Sequence, residues 1–235
     1  MNQLDGALPL VFADASILVF NKPSGLLSVP GKTNPHCLST LAQQQYADAL
    51  VVHRLDMSTS GLMVMARGIA AQRKLNASFS ERQVHKRYVA AVHGDCLADT
   101  ADGAQADAEG WHLIDLPILV DWPNRPLRKI DLEVGKPSTT RWRCAAYDPV
   151  RNVSRLELEP LTGRSHQLRV HLKAIGHPIL GDALYAPAEV VSASTRLLLH
   201  ASSLGFAHPE SGEWLDFHSA DGFTDCFAER PGSRA

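Results

Sequence analysis

The densest group of chemically capable side chains is His53-Arg54-Leu55-Asp56-Met57-Ser58-Thr59-Ser60-Gly61. A cation, a carboxylate, three hydroxyls and a glycine fall in one short stretch, without helix or strand period, between apolar segments. Catalytic groups concentrate on loops held by a rigid scaffold. The same residue types also make turns in which an aspartate and hydroxyls satisfy backbone groups, so residue types alone leave both readings open. A second group is Thr162-Gly163-Arg164-Ser165-His166-Gln167-Leu168-Arg169-Val170-His171. If Ser165 opens a helix, Arg169 lies one turn in, on about the same face as Ser165 and His166. From there it could reach a carboxylate elsewhere, and a buried arginine–carboxylate pair keeps the acid ionised and oriented. A helix making only surface contacts would use the same residues. His166 and His171 are five apart with no suitably spaced cysteine or acid nearby, which argues against a metal site. The chain contains no G-x-G-x-x-G, no G-x-x-x-x-G-K-[ST] and no G-x-S-x-G.

The chain that must position these groups has 235 residues, enough for a substantial core. Apolar residues make up 45% and charged residues 20%, an ordinary globular composition. No apolar run approaches the ~18 residues of a membrane span. The opening MNQLDGALPLVFADASILVF lacks a basic start, and Asp5 and Asp14 interrupt it, so no signal peptide is expected. Cys37, Cys96, Cys144 and Cys226 are far apart, which fits a reducing, cytoplasmic setting rather than a zinc site or a disulfide framework. The net charge of −2 does not point to nucleic acid, so any attraction to it must be local. Arg125 to Arg143 carries six Lys/Arg against two acids, and Arg73 to Arg87 carries five against one. Asp95 to Asp121 holds seven acids and no Lys or Arg, and reads as a solvent-exposed loop turned away from an anionic partner. Such runs are also what ordinary solvated faces look like.

Leu10 to Lys22 predicts a hairpin turning at Asp14-Ala15. The Pro/Gly-punctuated loop NKPSGLLSVPG follows, then a helix N-capped by Ser39 and running to about Ala49. Val51 to Ser60 reads as a strand end entering a structured loop, Gly61 to Ala66 as a buried strand, Ile69 to Arg82 as a helix, and Lys86 to His93 as a strand containing Tyr88. Thr139 to Tyr147 and Asn152 to Leu161 alternate as strands about a turn at Asp148-Pro149. Ser165 to Ile175 reads as a helix closed by Gly176, and Leu197 to Phe206 and Glu213 to His218 as strands before a frayed tail, ERPGSRA. These elements imply one α+β domain on a mixed, mostly antiparallel sheet.

NKPSGLLSVPG, HRLDMSTSG, KRYVA, GRSHQLRVH, GHPILGD and LLLHA occur together and in this order over about Leu10 to His218. In this the chain resembles the RluA family of pseudouridine synthases. LPILVDWPNRP and GKPSTT resemble the members that act on both 23S ribosomal RNA and tRNA. The resemblance implies a single pseudouridine synthase catalytic domain over 1–235, with no separate N-terminal RNA-binding domain, working as a monomer without metal or cofactor. Two departures stand out: Ser58 where relatives often have alanine, and a longer acidic stretch from Asp95 to Asp121.

The implied reaction breaks the bond from ribose to uracil nitrogen 1 and joins ribose to carbon 5. The resemblance assigns Asp56 as the catalytic carboxylate, Arg169 as its ion-pair partner, and Tyr88 as a residue near the uracil that could handle the carbon 5 proton. Arg54 would replace the extruded base in the stack, with His53 and Arg164 beside the RNA. Arg125, Arg128, Lys129 and Lys136 are candidates for phosphate contacts. The implied partners are a tRNA anticodon stem-loop and a 23S rRNA hairpin, at uridines 32 and 746. One alternative is a family member with a different single target. A non-catalytic RNA-binding module would not need Asp56, and a glycoside or nucleoside hydrolase would want a second carboxylate that the HRLD loop lacks.

Overall fold

A computed structural model describes residues 9–32, 34–101 and 106–223. In chain order the elements are β1 (Leu10–Ala13), β2 (Ile17–Lys22), α1 (Leu38–Gln45), β3 (Ala49–Val51), β4 (Ser60–Arg67), α2 (Gly68–Ser80), β5 (His85–His93), α3 (Cys96–Ala101), β6 (His112–Asp115), β7 (Ile118–Val120), β8 (Arg128–Ile130), β9 (Thr139–Asp148), β10 (Val153–Pro160), α4 (Gln167–Ala174), α5 (Ala188–Ser192), β11 (Leu199–Ala207) and β12 (Trp214–His218). The expected α+β class, with a mixed and mostly antiparallel sheet, is what is observed. The described residues pack as two compact units. One comprises the chain up to Arg87 with His200–Ala220; the other comprises Tyr88–Leu199 with 221–223.

In the first unit β2 lies between β1 and β4, antiparallel to both. β4 also pairs antiparallel with β3 and parallel with β11, and β12 runs antiparallel along β11. Its sequence SGLMVMAR is buried on both faces up to Ala66, as a continuous apolar run in a central strand should be. Ile17, Val19, Leu62, Val64, Leu204 and Phe206 form the core with Ala71 and Leu75 of α2. β4 and β11 pair at Ser60 and Gly61, and Gly61 faces Ala201. Its φ is +115°, and a Cβ there would lie 2.3 Å from the Ala201 carbonyl oxygen.

In the second unit β10 lies between β5 and β9, and β9 also pairs with β6, all antiparallel. The alternation in β10 holds: Leu156 and Leu158 are buried, while Arg155, Glu157 and Glu159 are partly exposed. Leu168 and Leu172 of α4 pack into this core with Val89, Val92 and Ile179. β7 and β8 form a separate two-stranded ribbon, rooted on Val170 and Tyr185.

Several local expectations need correction. Cys37, not Ser39, caps α1: its sulfur accepts the Thr40 N–H, while Ser39 lies buried inside the helix. That helix ends at Gln45, since Ala49–Val51 is drawn into β3 beside β4. α4 begins at Gln167 rather than Ser165, because the Gln167 carboxamide oxygen accepts from Arg164 N–H and the Thr162 hydroxyl, which winds 162–166 into a turn. Asp95 to Asp121 is not one loop. β6 pairs with β9 and buries His112 and Ile114 at alternate positions, with Trp111 buried just before it, and α3 and β7 also lie in this stretch. Residues 102–105, Cys226 and the ERPGSRA tail lie outside the described residues.

Gly61→Ala puts a methyl into the Ala201 backbone at a φ that side chains avoid. Strain at such a φ and overpacking each cost about 1–3 kcal/mol. A drop of about 2 kcal/mol or more in urea-unfolding stability is expected, and a variant as stable as the parent would refute the close approach.

Candidate active site

Asp56 sits in the first unit on the loop between β3 and β4, where its carbonyl accepts the Thr59 N–H to form a turn. The NKPSG loop holds this loop from behind. The Lys22 ammonium, fully buried at the end of β2, donates to the carbonyls of Pro23, Leu26 and Met57 at 2.9, 2.8 and 3.1 Å. Ser24 donates its hydroxyl to the Ser58 carbonyl, and Gly25 N–H donates to the Met57 carbonyl. Gly25 has a φ of +88°, which suits glycine. Ser28 donates to the Leu55 carbonyl and accepts the Leu55 N–H. Carbonyl groups on both sides of Asp56 are therefore fixed from the same loop. Burial lowers the Lys22 pKa to about 7, and the Asp56 charge acts in the opposite direction. Just beyond, Ser60 meets His200 Nδ1 at 2.9 Å, and His200 Nε2 meets the Ser219 hydroxyl.

His53 lies on the same loop. Its Nε2 accepts the Val64 N–H at 3.0 Å and its ring stacks on Phe79 with centroids 4.6 Å apart, so the ring proton resides on Nδ1. Burial, helped by the Lys86 charge, pushes its pKa down to about 3. It offers a neutral ring, not a cation. Arg54 is exposed, with no ion-pair partner among the described residues.

The second unit holds the other expected residues. Tyr88 opens this unit's part of β5, opposite Leu158, and packs half-buried against the core. Arg169 is buried on α4, where its guanidinium grips Asp182 with two hydrogen bonds; Nε to Oδ2 is 2.8 Å and NH2 bonds Oδ1. Asp182 Oδ1 also accepts the N–H groups of Leu184 and Tyr185. The guanidinium lies 5.1 Å from the Tyr185 ring centroid. The Tyr185 hydroxyl accepts the Arg128 N–H and bonds His166 Nδ1 at 2.6 Å, and burial raises its pKa. His171 is neutral and structural: Nε2 donates to the Leu116 carbonyl, Thr140 bonds Nδ1, and burial lowers its pKa.

His53, Arg54 and Asp56 thus share one anchored loop, and Arg128, His166 and Arg169 are linked through Tyr185. Arg164 is exposed, its Nε donating to the Pro137 carbonyl. Of the basic run from 125 to 143, Lys129 pairs with Asp131, Arg141 with Asp107 and Glu159, and Arg143 with Glu157. Lys22 and Asp182 carry no role in the sequence reading. Both lie in motifs it singles out, NKPSG and GHPILGD, so motif membership was the available signal.

A family model described as RNA pseudouridylate synthase matches residues 16–174. Over 218 residues the chain is 46% identical to the dual-specificity RNA pseudouridine synthase RluA of Escherichia coli strain K12, covering 92% of this chain and 94% of that protein. It is 48% identical to the protein of the same name from Vibrio parahaemolyticus over 88% of this chain and 80% of that one. Among solved structures, Human RNA Pseudouridylate Synthase Domain Containing 1 superposes with a TM-score of 0.75 at 28% identity, covering 95% of this chain and 87% of that one.

Asp182→Asn removes the charge facing a buried guanidinium while keeping shape. Breaking a buried pair from one side costs about 3–5 kcal/mol. A loss of that order in urea unfolding is expected, and a loss under about 1 kcal/mol would mean that Asp182 is not the principal counter-charge. For His53 the folded pKa lies below the free value, so the unfolded chain binds the extra proton between the two. Its contribution to stability is complete above about pH 6.5 and declines as pH falls toward 3. Nitrogen-15 shifts should show the Nδ1–H tautomer at pH 5, and a protonated ring there would refute this environment.

Proposed function

Because the chain belongs to the RNA pseudouridylate synthase family and is a member of its RluA group, we propose that it isomerises uridine to pseudouridine in both a tRNA anticodon stem-loop and a 23S rRNA hairpin, with Asp56 as the catalytic carboxylate. The observation that carries this reading is the Asp56 loop, whose carbonyls before and after the carboxylate are held by Lys22, Ser24, Gly25 and Ser28. A loop so anchored keeps a carboxylate in one geometry, which is what reaction at a single glycosidic bond requires.

The bond from ribose carbon 1′ to nitrogen 1 breaks, the uracil turns, and carbon 1′ joins carbon 5; carbon 5 loses a proton and nitrogen 1 gains one. A carboxylate can attack the sugar, stabilise charge on it, take a ribose proton or attack the base. Arg169, already set by Asp182, orients Asp56 as its ion-pair partner, and Tyr88 handles the carbon 5 proton. Arg54, exposed and two residues from Asp56, fills the stack when the uridine is extruded. Arg125, Arg128 and Lys136 contact phosphates and position the RNA. Lys129 contributes less charge because of Asp131, and Arg164 and neutral His53 contribute hydrogen bonds. The two units work as one catalytic domain, for which the family match across both is the support. The enzyme acts as a cytoplasmic monomer. Dual specificity follows the two relatives that carry it in name at 46% and 48% identity.

Release of tritium from carbon-5-labelled uridine in RNA, with the strand left intact, tests the activity. Asp56→Asn should abolish release while RNA affinity stays within about tenfold, or 1.4 kcal/mol; near-parental turnover would refute the assignment. Arg169→Lys keeps charge but loses the two-pronged grip, and should lose far more in rate than in binding. Mapping pseudouridine in a strain lacking the protein should show loss from one tRNA position and one 23S hairpin. Loss from rRNA alone would reduce it to a single-target enzyme.

A further inference from the structure

The ribbon β7–β8 ends in a turn, 121–127, that leaves an aromatic ring in water. Trp122 is 66% exposed. The Arg125 guanidinium lies 3.3 Å from its ring centroid, and Arg125 has no ion-pair partner among the described residues. Neither Asp121 nor Asp131 forms an ion pair with Arg125. Asp121 accepts from the Asn124 side chain, and its backbone closes the turn with Asn124 and Leu127. Asp131 accepts the N–H groups of Glu133 and Val134 and pairs with Lys129. The following turn leaves Leu132 and Val134 at 77% and 67% exposure. The base of the ribbon is firm by contrast: Ile118, Leu127 and Ile130 pack on Val170 and Tyr185, and the Tyr185 hydroxyl takes the Arg128 N–H. A planar cation stacked on an indole is thus carried on a rooted ribbon that also bears Arg128, whose guanidinium reaches the Pro126 carbonyl.

We propose that Trp122 and Arg125 form a stacking platform for an unpaired RNA base other than the uridine being isomerised. The proposal rests on the function argued above. Two features favour RNA over a protein surface: the stacked guanidinium is an open positive charge, and its cationic neighbours suit a phosphate backbone. A paired base in an A-form helix hides its faces, whereas a splayed loop base exposes one to aromatic or guanidinium planes. Stacking of this kind tolerates different bases. It therefore selects loop over duplex without demanding one sequence, as two different RNA targets would require.

The test uses the full chain, a synthetic stem-loop with a target uridine in its loop, and a fully paired duplex of equal length. Trp122→Ala, whose folding is checked by its unfolding midpoint, should raise KM for the stem-loop about tenfold, with a smaller change in kcat. Trp122→Phe should recover most of that loss, and Arg125→Gln should raise KM and flatten the salt dependence of binding. Duplex affinity should fall much less than stem-loop affinity. A stem-loop KM unchanged in Trp122→Ala, while the parent releases tritium normally, would overturn the platform alone, as would equal losses on stem-loop and duplex. A parent that neither binds the stem-loop nor releases tritium would overturn the platform together with the function it rests on.

Discussion

At the end of β2 three carbonyls, from Pro23, Leu26 and Met57, converge on the Lys22 ammonium. Each of its three N–H groups has an acceptor, which is the condition for burying such a group. Two of the acceptors belong to the NKPSGLLSVPG loop and one to the loop carrying Asp56, so a single charge fixes both. β2 itself is fixed by its six-residue register with β4, the strand that follows Asp56. The Asp56 loop is thus tied at its exit by the sheet and in its middle by the ammonium, with little freedom left between. The arrangement is sensitive to protons: with a pKa near 7, the amine loses one donor and its charge as pH rises through neutrality.

Arg169 follows the same principle in the second unit. Its guanidinium is buried but meets a carboxylate with two-pronged geometry, and that carboxylate is itself held by two backbone N–H groups. Two buried histidine rings have structural tasks. His53 accepts a strand N–H and His171 bridges Thr140 to the Leu116 carbonyl, and burial keeps both neutral. His53 and His171 thus hold shape rather than charge.

Charge counted along the chain and charge presented by the fold differ for a reason visible in β9 and β10. Arg141 and Arg143 stand opposite Glu159 and Glu157 in an antiparallel register, and Asp107, from the acidic stretch, adds to the first pair. Opposite charges facing each other across a ladder neutralise locally. On the ribbon and its turn, by contrast, Arg125 and Arg128 lack carboxylate partners among the described residues.

The sequence by itself determined the α+β class, the hairpin, the buried run of β4, the alternation of β10 and the two motif loops. Each rests on residues two to four positions apart, and such periodicities survive in any fold that buries them. It also brought Asp56 and Arg169 forward through their motifs, and with them the family. It did not show that NKPSG and HRLDMSTSG are one structure, because Ser24 meets Ser58 across 34 positions, nor that Ser60 meets His200 across 140. It placed helix starts at serines, where a thiol at Cys37 and the Gln167 side chain decided otherwise. It treated as one loop a stretch whose β6 forms only because β9 offers an edge. Those features depend on partners distant in the chain, and only the tertiary structure, by choosing which edges and charges meet, could decide them.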